Sequence, residues 1–265
     1  MTPPRAKGHS AAFERLIWIL ALGVLWQLLA LMVRDVRIFP GIDYIATKSL
    51  PGLAVFEGTQ DNALVAVLML GRNSLITIGR ILVGLIVGTI TGLVAGFGIH
   101  FLRPLRNVNL TLLVLIRAVP LFALIPLFLF WFGGSEFGVY AYISFGVFII
   151  IATNTYEALC NIPPGYVIQS KILGADRFQT FSTVRFYAIQ PEMVAAFRNV
   201  VGYSWAFSLG AEYLSSANGL GYLVYQSYIY ADIGKLILLA CLYGLYGVAS
   251  YRMLQYLSHR LVKWS

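Results

Sequence analysis

"SKILGADRFQTFSTVRFYAIQP", residues 170–191, decides how this chain is read. Long apolar runs flank it on both sides, yet it carries Lys171, Asp176, Arg177 and Arg185 around a central Gly174. Just upstream, Pro163, Pro164 and Gly165 end an apolar run. "YVIQSKILG", 166–174, then reads as a short helix with Val167, Ile168, Ile172 and Leu173 on its apolar side. Gly174 permits a turn, and Asp176 is placed to cap a second helix, "RFQTFSTVRF", 177–186. Phe178, Phe181 and Val184–Arg185 recur at helical spacing. Pro191 opens the next apolar run. The expectation is a helix–turn–helix that is apolar on one side and charged on the other. Two roles fit the spacing equally: a helix pair resting on lipid headgroups, or a docking knob for a soluble partner.

The surroundings of this stretch are lipid-like. The 265 residues are 59% hydrophobic and 11% charged, against ~25% charged in soluble domains, and the mean hydropathy is +0.78. Runs of membrane-spanning length put the chain in the integral membrane class. A net charge of +8 would suggest nucleic acid in a soluble protein. Here the basic residues sit at span ends, where they set orientation, and no nucleic-acid partner is expected. Cys160 and Cys241 fit neither a disulfide framework nor a CxxC metal site and are read as free thiols.

Six runs approach the roughly 20 residues that cross a bilayer: about 16–33, 76–99, 107–132, 139–158, 193–214 and 234–257. The first is too long for a signal-peptide core and lacks a small-x-small site after it, so it is read as an uncleaved span. Pro120 and Pro126 interrupt the third, which favours a bundle-lining position. With a cytoplasmic N-terminus, Arg5, Lys7, Arg15, Arg103, Arg106, Lys171, Arg177, Arg185, Arg252, Arg260 and Lys263 fall inside, against Arg34, Arg37, Lys48, Arg72 and Lys235 outside. That asymmetry places both termini, and residues 159–192, in the cytoplasm. Residues 58–75 suit an amphipathic helix on the outer membrane face leading into the second span; a seventh span is the competing reading. In the second span Gly84, Gly88, Gly92 and Gly96 recur every four residues, a face for close helix packing. The chain thus divides into a tail at 1–15, a first span at 16–33, a transmembrane domain at 58–257 that carries the 163–185 loop, and a tail at 258–265.

Catalytic and nucleotide-binding signatures are missing. His9, His100 and His259 form no HExxH-like pair, and there is no GxxxxGK[ST] segment. A proton- or sodium-coupled carrier places acids in mid-membrane, whereas Glu157, Glu192, Glu212 and Asp232 lie near span ends. Arg117 and Arg198 are read as the ionisable residues deepest in the spans. They either contact solute or fix helix packing.

At this point the residues carry a family resemblance. From Gly174 onward, the 170–191 segment resembles the EAA loop of permease subunits in binding-protein-dependent ABC importers: Gly174, Ala175, Arg177, Phe178, Phe181 and Pro191 stand where that pattern expects them. "RAVPLFALIPLFLFWFG", 117–133, resembles the family's third span, and "LGAEYLSSANGLGYL", 209–223, its Ala-Glu … Gly-Leu-Gly segment. "RILVGLIVGTITG" resembles its second span. The likeness covers about 70–260 and is nearest to the branch of nitrate, sulfonate, taurine and bicarbonate permeases. Two departures stand out. Ile168, Gln169 and Ser170 occupy the Glu-Ala-Ala positions, and Tyr187 stands where a proline is frequent.

The resemblance implies an all-α integral membrane protein with about six transmembrane helices, both termini cytoplasmic, in a type I ABC importer bundle of the bacterial cytoplasmic (inner) membrane. It implies a non-enzymatic chain that binds no cofactor itself, with ATP and Mg on a partner. The partners implied are a cytoplasmic ABC ATPase dimer, a second permease (the same or a different chain), an extracytoplasmic solute-binding protein and membrane lipid. Ile168, Gln169, Ser170, Gly174, Ala175, Asp176, Arg177 and Phe178 would meet the ATPase. Glu212, Gly219 and Gly221 would shape the outer gate or the binding-protein face. Gly84, Gly88, Gly92, Gly96, Arg117, Pro120 and Arg198 would serve helix packing. The solute would be small, and an anion suits the basic character. A secondary transporter or channel, independent of ATP, is the alternative.

Overall fold

A computed structural model describes residues 8–102, 111, 115, 118–215 and 217–261. All regular structure among them is helical. The main helices are α1 (Gly8–Val33), α2 (Ala63–Phe101), α3 (Ile125–Phe132), α4 (Glu136–Cys160), α5 (Pro164–Ile172), α6 (Phe186–Ser215), α7 (Leu220–Ile229) and α8 (Ile233–Leu261). Among the described residues, four segments are long and apolar enough to cross a membrane: Leu16–Val33, Ala63–Phe101, Glu136–Cys160 and Ile233–Ser258. Helix α6 is long enough at 30 residues but more polar. Its Ser204 and Ser208 are fully buried and donate to the carbonyls of Val201 and Trp205. A helix enclosed by protein does not need an apolar surface all round. Of the run at 107–132, the portion from 118 onward, with 111 and 115, lies within the described residues.

Two expectations are corrected. Residues 58–75 form no separate interfacial helix, because α2 runs unbroken from Ala63 over 39 residues. Asn62 caps its start, accepting the Leu64 amide at 2.9 Å. At ~1.5 Å per residue α2 outreaches a ~30 Å hydrocarbon layer by more than half. Nor does Pro191 open a span. It lies inside a continuous helical run from Arg177 through a π turn at Thr180–Arg185 into α6.

The chain forms two compact units, residues 1–71 with 224–241, and 72–223 with 242–265. In the first, the Trp26 indole donates to the Pro40 carbonyl at 3.0 Å and its ring meets Phe39 at 4.5 Å. Gln27 accepts from the Ile42 amide at 2.9 Å and donates to Asp43 at 2.8 Å, which holds the Asp43 carboxyl below its ordinary range. Helical turns at Ile42–Tyr44, Ile45–Ser49, Leu50–Gly52 and Leu53–Glu57 follow. Asp232 caps α8 by accepting the Lys235 amide at 3.0 Å. The Lys235 ammonium lies 3.3 Å from the Asp232 carboxylate and 4.7 Å from the centre of the Phe56 ring.

The second unit is organised by the glycine face of α2. A Cβ on Gly88 would lie 2.6 Å from Val147 Cβ, and one on Gly96 2.6 Å from Thr155 Cβ. Gly92 faces Ile151 in the same way, and Gly84 meets Ile143. All four contacts are with α4, so the absence of side chains lets the two backbones approach. Helix α4 in turn packs broadly on α6, where Gly146 lies under the Phe207 ring. Trp205 of α6 stacks on Tyr246 of α8 at 5.2 Å and donates to Ser250, while the Tyr246 hydroxyl donates to Ser74 of α2.

Gly88→Leu therefore forces a side chain into the α4 backbone. It should lower the thermal unfolding midpoint of the detergent-solubilised chain, with a cost of at least about 1–3 kcal/mol. Gly98→Leu meets open space and should leave the midpoint in place. Equal midpoints for the two variants would contradict the packing described.

Candidate functional site

Two features carry the functional reading, both in the second unit. The first is the segment 163–185. Pro163 turns the chain into α5, whose Pro164 suits a first turn with no amide to satisfy. The end of α5 is a Schellman motif: the Gly174 amide donates to the Lys171 carbonyl and the Ala175 amide to the Ser170 carbonyl, each at 3.0 Å. Gly174 supplies the left-handed residue with φ +82°. Asp176 and Gln179 then form a reciprocal capping box. The Gln179 amide donates to the Asp176 carboxylate at 2.7 Å, and the Asp176 amide to the Gln179 side chain at 3.0 Å.

These local bonds set the turn, and three longer contacts fix it. Ser170 and Thr180 are buried and share a hydrogen bond at 3.1 Å, joining α5 to the following helix. Phe181 packs edge-on against Phe97 and Phe101 of α2. Arg185 donates to His100 at 3.0 Å and lies over the Phe101 ring. A well-held scaffold thus presents an exposed apolar tip: Ile168 is 56% exposed, Ile172 78%, Leu173 86% and Phe178 75%. Gln169, Gly174, Asp176 and Arg177 are also exposed, whereas Ala175 is half-buried.

The second feature is a buried clasp. Arg80 is 1% exposed, yet all five of its N–H donors have acceptors. Nε donates to Glu136 at 2.9 Å, and Nη1 donates to Glu212 and to the Asn218 carbonyl, both at 2.9 Å. Nη2 donates to Glu136 and to the Asn218 side chain. Glu212 is fully buried and also accepts from the Thr77 hydroxyl and the Gly221 amide, each at 2.9 Å, and from the Tyr243 hydroxyl. Asn73 accepts the Gly219 amide at 2.7 Å, and Thr77 accepts the Leu220 amide. Gly219 adopts φ +97°, and a Cβ there would lie 2.6 Å from both Arg80 and Glu212. Gly221 is equally tight against Glu212. The clasp therefore ties α2, α4, α6 and α8 to the start of α7.

The sequence placed Glu212, Gly219 and Gly221 together but missed their principal partner. Arg80 reads as one more basic residue near a span end, and its acids lie 56 and 132 positions away. The one signal was Arg80 with Thr77 and Asn73 at i−3 and i−7, a polar strip along one face of a mostly apolar helix. Among the described residues, Arg80 and Glu212 are more enclosed than Arg198. Arg117 lies outside the described residues. Arg198 is half-buried on α6, with its Nε buried and without a hydrogen-bond partner among the described residues. Pro120 precedes the Leu121–Leu124 turn in an extended conformation.

Removing one partner from a buried pair leaves an uncompensated charge, at a cost of about 3–5 kcal/mol. Glu212→Ala should therefore lower the unfolding midpoint markedly. Glu136→Ala, whose parent side chain is 54% exposed, should lower it less. The reverse order would mean that Glu136, not Glu212, anchors Arg80.

The family of binding-protein-dependent transport system inner membrane components matches residues 84–263. A putative ABC transporter permease of Methanocaldococcus jannaschii is 27% identical over 242 residues, covering 91% of this chain and 88% of the relative. A putative aliphatic sulfonates transport permease of Bacillus subtilis is 25% identical over 71% of this chain and 68% of its own length. Among solved structures, a chain of a methionine ABC transporter in an inward-facing conformation superposes with a TM-score of 0.57 at 23% identity, covering 72% of this chain and 96% of that one. With its all-helical fold and a match across more than half its length, the chain belongs to the family of binding-protein-dependent transport system inner membrane components and is an ABC importer permease.

Proposed function

We propose that this chain forms half of an ATP-driven translocation path in a cytoplasmic (inner) membrane, with both termini in the cytoplasm. A second permease, identical or different, completes the path. A solute-binding protein delivers a small solute from outside, and a cytoplasmic ATPase pair binds ATP and Mg and docks on residues 163–185. The observation that carries this reading is the rigid, exposed tip of that segment. A protein leaves Ile168, Ile172, Leu173 and Phe178 exposed together where a partner covers them. The Schellman turn, capping box and Ser170–Thr180 bond hold the tip stiff enough to transmit a push.

The departure at the Glu-Ala-Ala positions now has a physical meaning. Where the family pattern has an acid, Ile168 extends the apolar tip. Ser170 is turned inward as a structural hydrogen-bonding residue. Docking on this chain is thus driven by apolar burial, with Arg177 beside it supplying charge. Closure of the ATPase pair around ATP would move the tips and switch the path between inward- and outward-facing states. The solute class suggested by the basic chain is a small anion, in keeping with the sulfonate permease among its relatives.

A photo-crosslinker at Phe178 in native membranes should capture an ATPase subunit. Phe178→Ala and Arg177→Glu should each cut ATPase co-purification roughly tenfold or more, the factor for about 1.4 kcal/mol. Both parent side chains are exposed, so the chain's own unfolding midpoint should stay in place. Gly174→Val should also cut ATPase recovery, but by straining the left-handed turn, so it should lower the midpoint as well. Unchanged ATPase recovery in all three variants would overturn the docking assignment.

A further inference from the structure

The helices of the second unit expose two chemically different stripes. Along α2, Leu75 (71% exposed), Leu82 (53%), Ile86 (59%), Ile90 (57%) and Val94 (67%) form an apolar stripe, and the neighbouring exposed Thr91 hydroxyl is satisfied by the Val87 carbonyl. That is a surface for lipid. On α6 the exposed stripe runs through Glu192, Ala195, Asn199 and Tyr203, at helical spacing. Tyr203 is 56% exposed, and neither Asn199 nor Tyr203 makes a side-chain hydrogen bond among the described residues. Arg198 adjoins this stripe with its Nε lacking a partner. The acid of the stripe, Glu192, lies nearly two turns away from Arg198 and accepts instead from Asn161 at 3.4 Å.

Hydrocarbon cannot satisfy these groups, so the stripe faces water or another protein. Dry packing against a second copy is disfavoured by symmetry. A two-fold axis along the membrane normal brings equivalent residues to the same depth, so Arg198 would meet Arg198 and Glu192 would meet Glu192. Ala195, between the polar positions, leaves the helix surface low rather than filling a gap. We propose that Asn199 and Tyr203, with Arg198 at their edge, form a water-filled solute-contact surface selective for small anions. Arg198 supplies the attraction, and the amide and hydroxyl supply hydrogen bonds to an anion's oxygens. This rests on the reading of the chain as half of a paired permease, and it assigns the solute class to particular side chains.

The test is charge-selective thiol labelling of the full chain in native membranes. Cys160 and Cys241, both exposed, are first replaced by serine. Asn199→Cys, Tyr203→Cys and, as a lipid-facing reference, Ile86→Cys are then treated with anionic sulfonatoethyl or cationic trimethylammonioethyl methanethiosulfonate. Rates are normalised to those on free 2-mercaptoethanol. Asn199→Cys and Tyr203→Cys should react at least tenfold faster than Ile86→Cys. The anionic reagent should lead the cationic one by roughly fivefold, the scale of one nearby charge in a wet site, and Arg198→Gln should abolish that lead. Labelling as slow as at Ile86→Cys would show the stripe sealed against lipid or protein and overturn the proposal. A charge preference that is absent, or that Arg198→Gln leaves unchanged, would overturn the anion assignment. Recovery of the ATPase from the same membranes is scored separately, so a failure here with the ATPase retained leaves the importer reading standing.

Discussion

A buried arginine in a membrane protein has no water to fall back on, and Arg80 meets that constraint completely. Each of its five donors has an acceptor, drawn from Glu136, Glu212 and Asn218. Glu212 is matched in turn by Thr77, the Gly221 amide and Tyr243. Desolvating such a pair is costly, and only full satisfaction of its groups makes burial tolerable. The network tolerates no side chain at Gly219 or Gly221. One ion pair thus dictates the path of the chain from α6 into α7 and the placing of the N-terminal end of α4.

The 163–185 segment obeys the opposite logic. Its tip residues are exposed, and its turn is set by bonds between near neighbours in sequence, with Phe181 and Arg185 anchoring it to the end of α2. From the capping box to Glu212, the helical run covers roughly 50 Å at the α-helical rise, so a single rod connects the exposed tip to the buried clasp. The π turn at Thr180–Arg185 and Pro191 both lie near the tip end of this run, and the helical backbone continues through them to Glu212. The polar stripe of α6 lies along the same rod.

This contrast explains what could be read from the sequence. The turn at Gly174 and the cap at Asp176 follow from a few adjacent residues, and the spacing of Gly84, Gly88, Gly92 and Gly96 marks one helix face, though not the partner, α4. Interactions that span long separations were hidden: Arg80 with Glu212, Ser170 facing Thr180, and Phe181 with Arg185 against the end of α2. The polar ends of 58–75 suggested an amphipathic helix leading into the second span. Yet Asn62 is a cap, and Asn73 turns inward to hold the Gly219 amide. Pro191 suggested a start because proline commonly begins helices; α6 instead continues through it. Helix α7 is too short and too mixed in composition to stand out between two longer apolar runs.

The account depends most on an external motor acting through the 163–185 tip. The decisive measurement is a mild-detergent purification of the tagged chain from its native membranes, with every co-purifying protein identified and counted by mass spectrometry. The account predicts an ATPase in equal number with the permease chains. Whether those permeases are all this chain or include a second one distinguishes a homodimeric path from a heterodimeric one. Recovery of the chain without any ATPase, together with solute uptake that persists when ATP is depleted, would contradict it.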